Sequence, residues 1–374
     1  MTVLNACIEC NELKLDDMEI THLGYDTFTS VGETLKFLDL DNNFIELSIN
    51  GSEFRGIEDL RQLELSGNAI TQLSGNMFQH VAKSLRGLYL ESNLIETIDP
   101  SAFLGFTHLK TLSLKDNVIY ELDSDDFQGL ENALITLNLA ANSLRKIHAN
   151  AFSRLVNLEQ LELYHNRLLN VTMPRAFDGL TNLLELWISE SALLSLDGVF
   201  DCSDGISPMP NAKSVIFSGG ALTYIGAHTF ANVSSISSLY LNGNKIKSLH
   251  VDAFYDLTSL KVLDLSENVI TQIPANLFVH TPDMQGLSLS DNLIDSISAS
   301  TFSGIDRLHL KLLQLENNDI ATFQSNTFDG IIDCNEITWT MYNNPSICEC
   351  SEDNTVQCNC APYLQANSNG CVRS

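Results

Sequence analysis

One interval governs this chain. Asn43, Asn68, Asn93, Asn117, Asn142, Asn166, Asn244, Asn268, Asn292, Asn318 and Asn344 recur inside the pattern Leu-x-x-Leu-x-Leu-x-x-Asn-x-Ile/Leu. Met18, Ser191 and Gly220 fill the same register, so fourteen registers run from Met18 to Asn344, 24 to 29 residues apart. A second column keeps step with the first: thirteen of the eighteen Phe residues, from Phe28 through Phe152 to Phe328, fall on one line. A period this steady marks a stacked array, in which no unit can bury its own apolar face and each relies on its neighbours. A length of 374 residues would otherwise suggest two or three globular domains.

The local chemistry follows from the spacing. Each Leu-x-Leu segment alternates apolar and polar residues, which is strand periodicity. Stacking pairs these strands into a parallel sheet with Leu inward and the intervening residue outward. The Asn stands where the chain leaves the strand. Its amide both donates and accepts, so it can satisfy backbone groups of the turn that would otherwise be orphaned. The Phe column stacks inside the opposite wall. The expected fold is an α/β repeat: a horseshoe solenoid with a concave parallel β-sheet and convex loops or short helical turns.

The repeat resembles the typical class of leucine-rich repeat, to which Toll-like receptor ectodomains, Slit proteins, variable lymphocyte receptors and small proteoglycans belong. Asn344-Pro345-Ser346-Ile347-Cys348-Glu349-Cys350 resembles the Asn-Pro-x-x-Cys-x-Cys opening of the C-terminal cap of extracellular members. Cys7 and Cys10 precede the first Leu-x-Leu as the last cysteines of an N-terminal cap would. The expected layout is a partial N-terminal cap over 1–12, a solenoid over 13–344 with an irregular insertion near 197–212, and a cysteine-rich cap over 345–374 whose end can open a further small module. The resemblance implies binding of a protein ligand on the concave face, by a receptor ectodomain or a secreted binder.

Of nine cysteines, Cys334, Cys348, Cys350, Cys358, Cys360 and Cys371 crowd one end, as a disulfide-stapled cap predicts. Six allow fifteen pairings, and the connectivity stays open. The rival reading gives these thiolates to a metal in an intracellular scaffold. A third makes the chain the non-catalytic arm of a larger receptor or enzyme. The tail departs from the family cap, and the cysteine total is odd. Residues 1–6 carry neither a basic start nor an apolar run, so either the sequence is a fragment that lacks a leader or the protein is not secreted. Asn50, Asn170 and Asn232 head N-glycosylation sequons, in keeping with an extracellular or cell-surface location.

The solvent-facing residue between the two strand leucines is the expected contact position. Trp187, Ile216 and Tyr240 occupy three successive registers there, with Tyr164 and His165 just before them. Large aromatics grouped on a rigid sheet make a binding hot spot. With Tyr89, Glu162 and Asp264 they form the candidate partner-binding set. The set flanks the lost ladder positions Ser191 and Gly220, where Asp201–Pro210 reads as a turn-rich insertion. That insertion is either a tolerated loop or a protruding contact element.

Charge narrows the partner. Twenty Lys and Arg face 47 Asp and Glu, a net −27. Such a chain is not expected to bind nucleic acid or anionic lipid, and no apolar run is long enough to insert in a membrane. Acidic residues take fifteen of the 56 outward strand-face positions, about twice their share of the whole chain. Either they steer a basic partner, or Asp simply suits the turn before the ladder Asn. Asp123, Asp125 and Asp126 with Glu121 could hold Ca²⁺ weakly, although a solvated turn explains them as well. No Gly-x-x-x-x-Gly-Lys, His-Glu-x-x-His or Gly-x-Ser-x-Gly occurs. The sequence points to no enzyme activity, no cofactor and no resident metal. Oligomeric state is not readable from it.

Overall fold

The computed structural model describes residues 10–25, 27–29, 31, 34–47, 51–168, 175–201, 205–306, 308–323, 327–328, 337–350, 356–360, 364–367 and 370–373. The chain divides into two compact units, Met1–Trp187 and Ile188–Ser374. In the first, eight short parallel strands run in order from Glu12–Lys14 through Phe37–Asp39, Gln62–Glu64 and Gly87–Tyr89 to Glu185–Trp187. In the second, six run from Ser214–Ile216 through Ser238–Tyr240 and Val262–Asp264 to Thr338–Thr340. Every pairing keeps one register, so Leu38 faces Leu63 and Leu63 faces Leu88. The central residue of each strand points into the core, and its two neighbours point outward. Trp339 takes the central place in the last strand and packs its ring against Phe328 at 5.9 Å.

The ladder amides do what a donor-acceptor group in a turn can do. Asn93 Nδ2 donates to the carbonyls of Leu65, Leu90 and Glu91, and its Oδ1 accepts from Ile70 N–H. All eleven Asn of the column bridge adjacent turns in this way. The residue before each ladder position is left-handed in all fourteen registers, from Asp17 (φ 54°) to Asn343 (φ 56°). That one backbone reversal turns the chain out of the strand.

On the opposite wall the Phe rings stack at 5.9 to 6.4 Å, as in Phe127–Phe152 and Phe254–Phe278. Parallel strands stand only about 4.8 Å apart. Within each unit the Phe side is therefore the longer one and the strand side the concave one. Two short 3-10 turns, Ser52–Phe54 and Ala231–Val233, are the only helices among the described residues.

At the lost ladder positions the second unit keeps its sheet turn. Ile188 N–H donates to Ile216 O at 2.8 Å and Glu190 N–H to Ser218 O at 2.7 Å, in the same pattern as regular repeats. The described part of the insertion is anchored on the Phe wall. Met209 is fully buried, Ser207 Oγ donates to Asn232 O, and Asn232 Nδ2 donates to Phe200 O. These anchors hold it away from the strand face. Ile206 is its exposed apolar residue.

Candidate functional site

On the strand face of the first unit, one small residue makes room for a long neighbour. Gly87 leaves open the space that the Tyr89 ring fills: a Cβ there would stand 3.0 Å from Tyr89 Cε2. Burial raises the Tyr89 phenol pKa, and the Glu64 and Glu91 charges raise it further. Glu91 accepts from Ser113 Oγ at 2.6 Å. Register places Glu162 beside Trp187, whose Nε1 donates to Glu185 at 3.3 Å. Lys115 Nζ lies 5.9 Å from the Tyr164 ring centre, and Tyr164 meets His165 edge-on at 5.4 Å. Burial pushes the Glu162 carboxyl up. Lys115 opposes this, and Glu185 and Glu91 add to it. In the second unit, register sets Ile216 beside Tyr240 and Tyr240 beside Asp264.

One expectation needs correction. The aromatic row is half-buried rather than exposed: Tyr89, Tyr164, Trp187, Ile216 and Tyr240 all fall in the intermediate range. Asp39 and Ser113, on the same row, are buried. Neighbouring strands stand too close for an outward side chain to clear those beside it. The rings present edges and faces to solvent rather than whole side chains.

The acids divide into two kinds. Asp39 Oδ1 accepts from Asp41 N–H and Asp264 Oδ1 from Ser266 N–H, as the uncharged Asn138 Oδ1 does from Ala140 N–H. These shape the exit turn, as Asx residues do. Glu64, Glu91, Glu162 and Glu185 make no such turn bond. Carboxylate oxygens of Asp39, Asp41 and Glu64 lie within 4.8 Å of one another, a spacing at which a hard cation can be shared. Burial first, then Glu64 and Asp39, push the Asp41 carboxyl up to about 6, against the Ser66 hydrogen bonds. The Glu121–Asp126 segment is engaged otherwise. Arg154 Nη2 holds Asp125 at 3.0 Å, and His148 stands 3.6 Å from Glu121 and 3.9 Å from Asp123.

Sequence reasoning missed a second apolar feature. The residue after each ladder Asn points outward, between two buried neighbours, and in the first unit Phe44, Leu94 and Val118 are exposed there. Phe44 N–H donates to Ile20 O and Leu94 N–H to Ile70 O, so these residues form one row along the edge of the strand face. In the second unit Val269 and Leu293 repeat it. The column following the Asn was the readable signal.

Cys10 is disulfide-bonded. Register sets Cys348 opposite Cys358 in the antiparallel pair Ser346–Cys350 and Val356–Cys360, and Cys371 lies in the strand Gly370–Arg373. The cap-cysteine side chains lie outside the described residues, as do Cys7, Cys202, Cys334, Asn50 and Asn170. Among the described residues no helix is long and apolar enough to cross a membrane.

A family model described as leucine rich repeat matches residues 10–70, 83–133, 132–168, 210–270, 234–294 and 258–320. No curated protein matches. Among solved structures the chain is similar to Toll of the Toll–Spatzle complex of Drosophila, at 21% identity and TM-score 0.67, covering 87% of this chain and 49% of that one. The glycosylated form of that complex aligns at 24% identity and TM-score 0.72, covering 87% and 43%. A leucine-rich repeat protein of Leptospira interrogans aligns at 20% identity and TM-score 0.67, covering 92% and 86%. The chain therefore spans about half the length of the Toll chains it matches.

Proposed function

The chain belongs to the leucine-rich repeat family, and from that premise we propose that it is a ligand-recognition protein whose strand face takes a basic protein partner. Proteins with this repeat fold are typically interaction scaffolds rather than enzymes. One observation carries the reading. On the strand face of the first unit, Glu64, Glu91, Glu162 and Glu185 alternate with the rings of Tyr89, Tyr164 and Trp187, and none of these acids is spent on the turn. Lys14 and Lys115 are the cations of that face, and Lys115 lies against the Tyr164 ring. A partner bringing Lys or Arg would gain charge-assisted hydrogen bonds at the carboxylates and cation–π contacts at the rings. The edge row of Phe44, Leu94 and Val118 offers apolar area beside it.

We place the protein outside the cell or on its surface. The Cys10 disulfide and the clustered cap cysteines support an oxidising compartment, as does the fold similarity to Toll. Asn232 is the one described glycosylation candidate, and its amide is half-buried and donates to Phe200 O. The net charge of −27 disfavours a polyanion on the strand face.

Display selection of random peptides on the whole chain tests the reading. Recovered sequences should be rich in Lys and Arg. Their affinity should fall about tenfold or more for Tyr164→Ala with Trp187→Ala, as hot-spot truncation does, with unchanged thermal unfolding. Sequences without basic bias, or equal binding to the variant, would refute it.

A further inference from the structure

The scarce cations of this chain are not scattered. Lys36, Arg61, Arg86 and Lys110 each stand just before a strand of the first unit, in four successive repeats. Backbone bonds fix them as neighbours: Arg61 N–H donates to Lys36 O, Arg86 N–H to Arg61 O, and Lys110 N–H to Arg86 O. Strand spacing then makes a line of cations about 15 Å long, one for every 4.8 Å or so. Lys83 and His108, from the loops leading into these strands, join the line. Lys36, Asp59, Arg61, Lys83, Ser84, Arg86 and His108 line a cleft of about 190 Å³, and Lys110 continues the line beyond it.

The cleft is fixed in form. Lys36 Nζ donates to Asp59 at 2.9 Å, and His108 Nδ1 lies 2.9 Å from Lys83 O. Arg61, Lys83, Arg86, His108 and Lys110 are exposed. Four of the chain's twenty Lys and Arg line the cleft beside His108, opposed within it by the single carboxylate of Asp59. In the second unit the corresponding positions read Lys213, Ser237, Lys261, Gln285 and Lys311, where cations alternate with uncharged residues and no continuous line forms. The clustering is thus particular to four repeats.

We infer that this cleft is a binding site for a linear sulfated oligosaccharide, separate from the strand face. Cations set one repeat apart, just before neighbouring strands, match a chain of sulfate esters, each of which takes hydrogen bonds from guanidinium or ammonium groups. Asp59 and Ser84 supply acceptors for sugar hydroxyls between the sulfates. A nucleic acid fits less well, because single strands are held by bases stacking on aromatic rings, and no Phe, Tyr or Trp lines the cleft.

The test is titration of the whole chain with a heparin-derived hexasaccharide, its desulfated counterpart, and a single-stranded oligonucleotide of equal charge. The sulfated sugar should bind, with log affinity falling linearly against log salt as counterions are released. The desulfated sugar should not bind, and the oligonucleotide should bind more weakly. Arg61→Gln with Arg86→Gln should weaken sulfated-sugar binding about tenfold or more at low salt. Lys261→Gln with Lys311→Gln should leave it unchanged. Lys83→Gln, a single exposed loop change, should weaken it severalfold, and it keeps the test decisive if the double variant unfolds. Equal binding of the desulfated sugar, indifference to both cleft variants, or tighter oligonucleotide binding would overturn the assignment.

Discussion

Asn244 leaves no room for a side chain at Gly220. A Cβ on Gly220 would stand 2.7 Å from Asn244 Oδ1 and 3.2 Å from the Ser191 carbonyl oxygen. That oxygen of Asn244 is itself held by Leu222 N–H at 3.2 Å, and its Nδ2 donates to Phe217 O at 2.6 Å. The missing ladder amide is therefore built into this turn. Restoring the repeat consensus with Gly220→Asn should destabilise the chain by about 1–3 kcal/mol through overpacking. Chemical denaturation measures this. A stabilised variant would mean that the turn can reopen to admit the amide.

An intact ladder position should behave oppositely. Asn93→Ala orphans Ile70 N–H and removes a donor from the Leu65 and Leu90 carbonyls, all in the buried turn. The expected loss is about 2–4 kcal/mol, because each buried group left unpaired costs about 1–3. Unfolding of the purified variant checks it against Ser191→Ala, where no such bridge exists and the expected loss is under about 1 kcal/mol.

The acidic face should carry a pH signature. Asp41 is raised to about 6, above its ordinary 3.8, so the folded chain holds that proton more tightly than the unfolded chain does. Its contribution to stability is complete at the acid end and declines as pH rises from about 4 to about 6. Asp126 is likewise raised to about 6 by burial, then by Asp123, Glu121 and Asp125. Both groups are partly solvated, so screening reduces each loss to about 1 kcal/mol. Asp59 and Asp99 are lowered, by Lys36 and Ser101 hydrogen bonds, and act in the opposite sense. A difference measurement isolates the effect: Asp41→Asn should melt above wild type at pH 7 and with it near pH 4. A gain at both values, or at neither, contradicts the assignment.

Cysteine oxidation separates the compartments. Cys10 is bonded, and the cap cysteines are expected to be. With nine cysteines in all, an odd number must stay outside intrachain bridges. Denatured, unreduced protein should therefore expose one free thiol. Eight or nine free thiols would favour the reduced, metal-binding reading of the tail.

The fold was legible because its determinants are periodic. The strand leucines, the Asn column and the Phe wall each repeat in sequence, and each repeat does one job. The site was less so. Trp187 and Tyr240 are half-buried, and the sequence does not show this, since crowding between strands leaves no trace within a single repeat. Asp39 and Glu64 look alike in the outward row, yet one caps a turn and the other does not. The difference lies in side-chain length: Asp reaches the N–H two residues on, and Glu overshoots it. The basic line through Arg61 and Arg86 was readable as a column but stayed hidden behind a net charge of opposite sign.

The central claim concerns the strand face, and one binding measurement addresses it most directly. A Lys- and Arg-rich peptide recovered on the whole chain is titrated against wild type and against Glu64→Gln with Glu91→Gln and Glu162→Gln, at low and high salt. Wild type should bind more weakly as salt rises, and the neutralised face should lose about tenfold or more at low salt while its own salt dependence flattens. Affinity that is the same for both proteins at every salt concentration would contradict the account.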